Sequence, residues 1–161
     1  MDSTVSSSNW IDQLPMELAR LTRQRMSLRT VLKGEIIYTE GQVSNALWQV
    51  RQGMVRVTNH TLDGKEVVFA IFAAQDCFGE LSLIAGQAAP NTATAIERCE
   101  LLELSKLDFD DLYQQHPAFP RQINRLLCGR VRHMLRFYAD VTLRPLEQRM
   151  ANRICYLSDG H

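Results

Sequence analysis

The first two thirds of the chain alternate short hydrophobic runs with glycine-containing turns. Val55 and Val57, for example, flank Arg56, as in a strand with one buried face. Asp63-Gly64 lies between two such runs and is typical of a tight hairpin turn. The pattern predicts seven strands, at residues 28–32, 35–38, 47–51, 54–58, 66–73, 92–96 and 100–104. Many short strands joined by glycine turns favour a barrel or jelly roll over a parallel sheet.

The last third of the chain has the periodicity of helices. Residues 106–115 predict a short helix, and another short helix is predicted from Pro15. After Pro117, hydrophobic residues recur at steps of three and four, as on one face of a long helix that ends before Pro145. This apolar face comprises Ile123, Leu126, Leu127, Val131, Met134, Leu135, Tyr138 and Val141. A small β domain cannot cover all of it, so we expect part to pack on a second copy; packing wholly within the monomer is the alternative.

Composition narrows the class of protein. The chain has 161 residues, suiting one compact domain, and its 45% of hydrophobic residues is enough for a core. Its formal net charge is zero, which gives no overall argument for nucleic acid or a membrane. No apolar run approaches the length of a bilayer span, and the N-terminus has neither the basic nor the apolar part of a signal peptide. We therefore predict a cytoplasmic protein without a membrane partner.

The spacing of the cysteines, histidines and carboxylates along the chain argues against both a catalytic site and a metal site. The four cysteines, Cys77, Cys99, Cys128 and Cys155, are too widely separated for a zinc motif and are expected to be small buried residues. The four histidines are isolated, and no nucleophile or carboxylate pair has the spacing of a catalytic group. The sequence therefore predicts neither an enzyme nor a metal site.

Five segments in order resemble the cyclic nucleotide-binding regulators of the catabolite activator protein (Crp/Fnr) family. They are LKGEIIYTEGQ at 32–42, LWQVRQGMVRV at 47–57, DGKEV at 63–67, FGELSLIAG at 78–86 and CELLELS at 99–105. The resemblance implies a mainly β fold with α, in which a jelly-roll effector domain (a double-stranded β-helix) precedes a long dimerisation helix. We assign residues 1–116 to the effector domain and residues 117–143 to the helix.

The resemblance also implies a homodimer. The regulators of this family bind DNA through a C-terminal helix-turn-helix. Residues 144–161 resemble the start of that DNA-binding domain, so we expect a regulator truncated before the recognition helix, with a stand-alone module as the alternative. The dimer contacts are expected from Ile123, Leu127, Val131, Met134, Tyr138 and Val141.

The effector pocket of the family lies at the segment that follows Phe78. The family pattern is similar to GELALLxGxPRSATV, which fits residues 79–93 without a gap. In the family the glutamate binds the ribose and an arginine neutralises the cyclic phosphate. The altered pocket here comprises Phe78, Gly79, Glu80, Leu81, Ser82, Ala89, Pro90, Met134 and Leu135, with Ala89 at the arginine position. Met134 and Leu135 stand where the family places hydroxyls against the base.

The missing arginine decides what the sequence predicts about the ligand. A buried phosphate without its cation lacks an interaction of about 3–5 kcal/mol, and Pro90 has no backbone N–H to offer. We therefore expect an unknown small-molecule effector, with a cyclic nucleotide possible but disfavoured. One alternative is a cyclic nucleotide sensor whose cation comes from Arg51 or Arg98. Another is a haem or redox sensor, for which His60, His116, His133 and Cys77 are available ligands.

Eight arginines follow Pro117, at 121, 125, 130, 132, 136, 144, 149 and 153, against only Asp140 and Glu147 in the same span. They indicate either a basic surface for the DNA backbone or the solvated face of a dimer helix. Because the whole chain is neutral, the second interpretation is favoured, with acidic residues elsewhere as partners.

Overall fold

The computed structural model describes residues 9–43, 45–60 and 63–143. The chain divides into two compact units, one of residues 8–119 and one whose described part is residues 120–143. The predicted start of a DNA-binding domain at residues 144–161 lies outside the described residues, as does the side chain of Val141.

Eight strands and four α-helices make up the described chain. The helices are α1 (Met16–Arg25), α2 (Glu80–Ala85), α3 (Lys106–Gln115) and α4 (Ala118–Leu143), and a 3-10 helix (Trp10–Gln13) precedes α1. The strands are β1 (Ser27–Val31), β2 (Ile36–Tyr38), β3 (Ala46–Gln52), β4 (Val55–His60), β5 (Glu66–Phe72), β6 (Cys77–Phe78), β7 (Thr92–Ala95) and β8 (Cys99–Ser105). Strand β6 was not predicted because two residues are too few to show an alternating pattern.

The strands form two antiparallel four-stranded sheets, in the orders β1-β8-β3-β6 and β2-β7-β4-β5. Consecutive strands thus often lie in different sheets, as in a jelly roll rather than a meander. The predicted mainly β effector fold followed by a long helix is confirmed.

The core lies between the sheets and follows from strand alternation. In β4, Val55 and Val57 are buried, whereas Arg56 between them is half-buried and reaches Glu66. Four aromatic rings continue this core: Tyr38 stacks on Trp48 at a centroid distance of 5.5 Å, Trp48 on Phe78 at 5.7 Å, and Phe78 on Phe72 at 5.5 Å. Large rings packed in this way leave β6 and the turn after it in a fixed position.

A second group of aromatic side chains anchors the helices of the first unit. Phe119 meets Trp10 and Phe109 edge-on, at centroid distances of 5.7 and 5.4 Å. All three residues are buried. Arg25 at the end of α1 pairs with Asp111 of α3 at 2.5 Å, which joins the two helices at the surface.

Candidate functional site

The candidate site begins at the turn between β6 and α2. Gly79 has a φ of 93°, a left-handed conformation that side chains other than glycine adopt at a cost. A Cβ at this position would lie 2.7 Å from Cε3 of Trp48 and 2.9 Å from the carbonyl oxygen of Ala46. Both the backbone angle and the close approach of the indole therefore require glycine here.

Helix α2 begins with the acidic residue of the motif. Glu80 is only 1% exposed, and Ser82 is also buried, with its hydroxyl donating to the carbonyl oxygen of Gln87 at 2.5 Å. Leu81 between them is exposed. The motif thus places one carboxylate and one hydroxyl in the interior, while Phe78 belongs to the aromatic core.

The loop after α2 is closed by hydrogen bonds to neighbouring protein groups. Ala89 is 3% exposed; its N–H donates to the carbonyl oxygen of Gln42 at 2.7 Å, and its own carbonyl accepts from Gly41 at 2.9 Å. Pro90 is exposed, and its carbonyl oxygen accepts from Nδ2 of Asn59 at 2.7 Å. Backbone groups that are bonded in this way are not available to a ligand without rearrangement of the loop.

The next two residues, Asn91 and Thr92, were not predicted as site residues from the sequence. The hydroxyl of Tyr38 donates to Oδ1 of Asn91 at 3.2 Å, and the N–H of Glu40 donates to Oγ1 of Thr92 at 3.0 Å. Strand β7 begins at Thr92 and pairs with β4.

The pattern also fits with two extra residues in the loop. PRSATV then lies on PNTATA at residues 90–95, where the proline, an alanine and a threonine coincide. Extra residues are tolerated more readily in a loop than in a paired strand. This placement puts Asn91 at the arginine position. The sequence signal for this placement is the proline and the Ala-Thr pair, which the family pattern and the chain share. Neither placement supplies a cation.

The two arginines considered as substitutes lie away from this loop. Nε of Arg51 lies 3.6 Å from a carboxylate oxygen of Glu100, near the end of β3. Asn91 precedes β7 and Arg98 follows it, so a four-residue strand about 13 Å long separates them. Arg56 of the neighbouring strand pairs with Glu66 at 3.3 Å. Arg51 and Arg98 are therefore not brought to the loop, and Arg56, opposite Thr94 in the sheet, is engaged by Glu66.

The site residues expected on α4 are exposed and belong to the second unit. Met134 is 62% and Leu135 60% exposed. Of the other apolar-face residues, Ile123 is buried, Leu127 is half-buried, and Val131 and Tyr138 are 50% and 67% exposed. The described part of the apolar face is thus mostly open in the single chain.

The described cysteines and histidines do not form a cluster. Among the residues that the structure describes, no three His, Cys, Asp or Glu side chains are grouped as metal ligands. Cys77 and Cys99 are buried, and burial raises the pKa of the Cys99 thiol despite its contacts with the carbonyl groups of Met54 and Glu97. In the same part of the chain, no helix is long and apolar enough to cross a membrane.

Comparison with known proteins agrees with this geometry. The profile of the family "Cyclic nucleotide-binding domain" matches residues 28–116, more than half of the chain. The crystal structure of the catabolite activator protein of Thermus thermophilus is similar to this fold with a TM-score of 0.72 and 29% identity, over 84% of this chain and 62% of that one. The chain belongs to the cyclic nucleotide-binding domain family.

Two sequence relatives show how widely the domain is used. A CRP-like cAMP-activated global transcriptional regulator of Mycobacterium tuberculosis is 24% identical over 144 residues, which are 89% of this chain and 64% of that protein. The lysophospholipase NTE1 of Coccidioides immitis is 32% identical over 102 residues, 63% of this chain and only 6% of the lysophospholipase. The chain thus spans less than two thirds of each of these relatives.

Proposed function

We propose that this chain is the effector-sensing and dimerisation region of a bacterial transcription regulator that acts in the cytoplasm. The fold shared with a catabolite activator protein over 84% of the chain supports this function, as does the match to a CRP-like regulator over 89% of it. Sequence-specific DNA binding is assigned to a C-terminal domain, of which residues 144–161 are the proposed start. No catalytic role is proposed, because the match to the lysophospholipase involves only a small part of that enzyme.

The proposed effector is not an ordinary cyclic nucleotide. The observation that carries this proposal is the buried carboxylate of Glu80 near a loop where both placements of the family pattern lack an arginine. A phosphate anion bound there would lie near a buried carboxylate and would lack the arginine of the family pattern, and burial of such a charge is costly. The hydrogen bonds of Ala89 and Pro90 to Gln42 and Asn59 would add the cost of opening the loop.

Isothermal titration of the unmodified chain with cyclic AMP and cyclic GMP tests this proposal. Loss of about 3–5 kcal/mol corresponds to roughly two to four decades of affinity, so a family site of about 1 μM weakens to about 0.1–10 mM. Adenosine, which lacks the phosphate, is the control and should bind no worse than cyclic AMP. Micromolar binding of either cyclic nucleotide would contradict the proposal.

A cyclic nucleotide sensor with a neutral phosphate contact is the second candidate. It is favoured by Asn91, whose Oδ1 accepts from Tyr38 and whose amide nitrogen is a donor at the arginine position of the second placement. Asn91→Ala separates the two candidates. The variant should lose the nucleotide binding of the unmodified chain if the amide holds the phosphate. If the effector is unrelated, neither the unmodified chain nor the variant should bind the nucleotide measurably.

The proposed dimer forms through the apolar face of α4. Val131, Met134 and Tyr138 recur at helical spacing and are each at least half exposed, an arrangement that a second helix of the same kind would bury. A lone chain would leave this row of large hydrophobic side chains in water, and exposed apolar patches of this kind mark interaction surfaces.

A further inference from the structure

A row of arginines occupies the other side of α4. Arg121, Arg125, Arg132 and Arg136 are all exposed. At 3.6 residues per turn they fall within a sector of about 60°, and at 1.5 Å per residue the row is about 22 Å long. The apolar face is centred roughly 150° away around the same helix. We call these four residues the arginine face.

The arginine face gives α4 a positive charge that the acidic residues of the same helix do not balance. The one acidic residue of α4, Asp140, lies four residues after Arg136, and its side chain is outside the described ones, whereas Arg25, Arg29 and Arg56 pair with acidic side chains of their own unit. The expected pairing of these arginines with acidic residues elsewhere stays a prediction. Five arginines and one aspartate give α4 a net charge of +4, and because the whole chain is neutral the other residues carry −4.

The chemistry of the face points to phosphate groups. No lysine follows Lys106, so every fixed cation of the C-terminal third is an arginine. A planar guanidinium binds two oxygens of a phosphate at once, which an ammonium group does not do. A row of about 22 Å is shorter than one turn of duplex DNA, about 34 Å. Phosphate groups of the duplex are therefore available along the whole length of the arginine row.

We propose that the arginine face docks the phosphate backbone of duplex nucleic acid without reading its sequence. A membrane surface is the weaker fit, because a basic helix that lies on lipid inserts its apolar side into the bilayer, and that side is assigned to the dimer. Cys128 and Gly129 lie along the helix between Arg125 and Arg132, and such small side chains let the guanidinium groups approach a backbone closely. The inference rests on the proposed dimer only for this assignment of the apolar side.

Fluorescence anisotropy of a labelled random duplex, about two helical turns long, tests the inference on the full chain. Binding should be weak and should weaken steeply with salt, with a slope of log K against log salt of about −0.9 per phosphate contact. Four contacts predict roughly a 150-fold loss between about 50 and about 200 mM salt. Replacing all four arginines of the face by glutamine should reduce the slope by about 3–4.

The matched control removes the same charge from the first unit. Arg20, Arg23, Arg51 and Arg98 are also exposed, and their replacement by glutamine should leave most of the slope intact. A variant with lysine at the four positions of the face keeps the charge and should retain the slope with weaker binding. Circular dichroism verifies that each variant keeps its helix content.

The inference would be overturned by no binding at low salt, by equal losses in both glutamine variants, or by retention on phosphatidylserine vesicles that the duplex does not compete away. Sedimentation of the same proteins keeps the two proposals apart. A monomeric unmodified chain would refute the dimer alone, whereas a dimeric face variant that still binds DNA fully would refute the arginine face alone.

Discussion

Installing an arginine at Asn91 should convert the loop into a phosphate-binding site. The residue that follows, Thr92, supplies a small hydroxyl at the start of β7, and Glu80 is already buried at the start of α2. Asn91→Arg loses the contact of Asn91 with Tyr38, a neutral hydrogen bond of about 1 kcal/mol. It gains a charged contact with a bound phosphate of about 3–5 kcal/mol. The lost hydrogen bond is missing from the free and the bound variant alike, so it lowers the stability of the fold and not the affinity. The gain of about 3–5 kcal/mol therefore corresponds to roughly two to four decades of affinity for cyclic AMP.

The double variant Ala89→Arg with Pro90→Ser is the matched comparison, because it installs the arginine according to the gapless fit. Ala89 is 3% exposed and bonded through both backbone groups, so a long charged side chain there must displace its neighbours. We expect this variant to gain little affinity and to lose stability by about 1–3 kcal/mol.

Isothermal titration with cyclic AMP, alongside urea denaturation, measures both effects. A folded Asn91→Arg protein with unchanged affinity would refute the reasoning about the loop. A larger gain in the double variant would show that the gapless fit is the right one.

Two further predictions concern the turn and the helix. Gly79→Ala should lower the free energy of unfolding by about 2–5 kcal/mol, because its Cβ meets an indole ring and a backbone oxygen. Gly86→Ala is the control in urea denaturation. Gly86 also has a positive φ, of 63°, but a Cβ there would have no atom within 4 Å apart from its chain neighbours. The control variant should cost only about 1–2 kcal/mol. Met134→Lys should shift the sedimenting species from dimer to monomer, because it places a charge in the apolar face of α4. His133→Lys, on an exposed position outside that face, should leave the dimer unchanged, and equal effects of the two lysines would count against the proposed interface.

The family and the main strands were determined by the sequence alone. Alternation in segments such as Val55-Arg56-Val57, with glycines at the turns, is a local property, because each residue's preference depends on near neighbours and on one buried face. The five ordered segments predicted the jelly roll through their resemblance to a known family. The long periodicity of α4 also needed no tertiary information.

The details of the site depended on tertiary structure. Whether Ala89 or Asn91 stands at the phosphate position depends on where the loop ends and β7 begins, and that boundary is set by pairing with β4 across the sheet. Tyr38 reaches Asn91 from 53 residues away, a contact that no local pattern encodes. The ion pair of Arg56 with Glu66 across β4 and β5 is of the same kind, because an ion pair requires two side chains to meet in space. Sequence spacing gives the direction of a side chain on its own helix, and only the packed chain shows which charges lie opposite it.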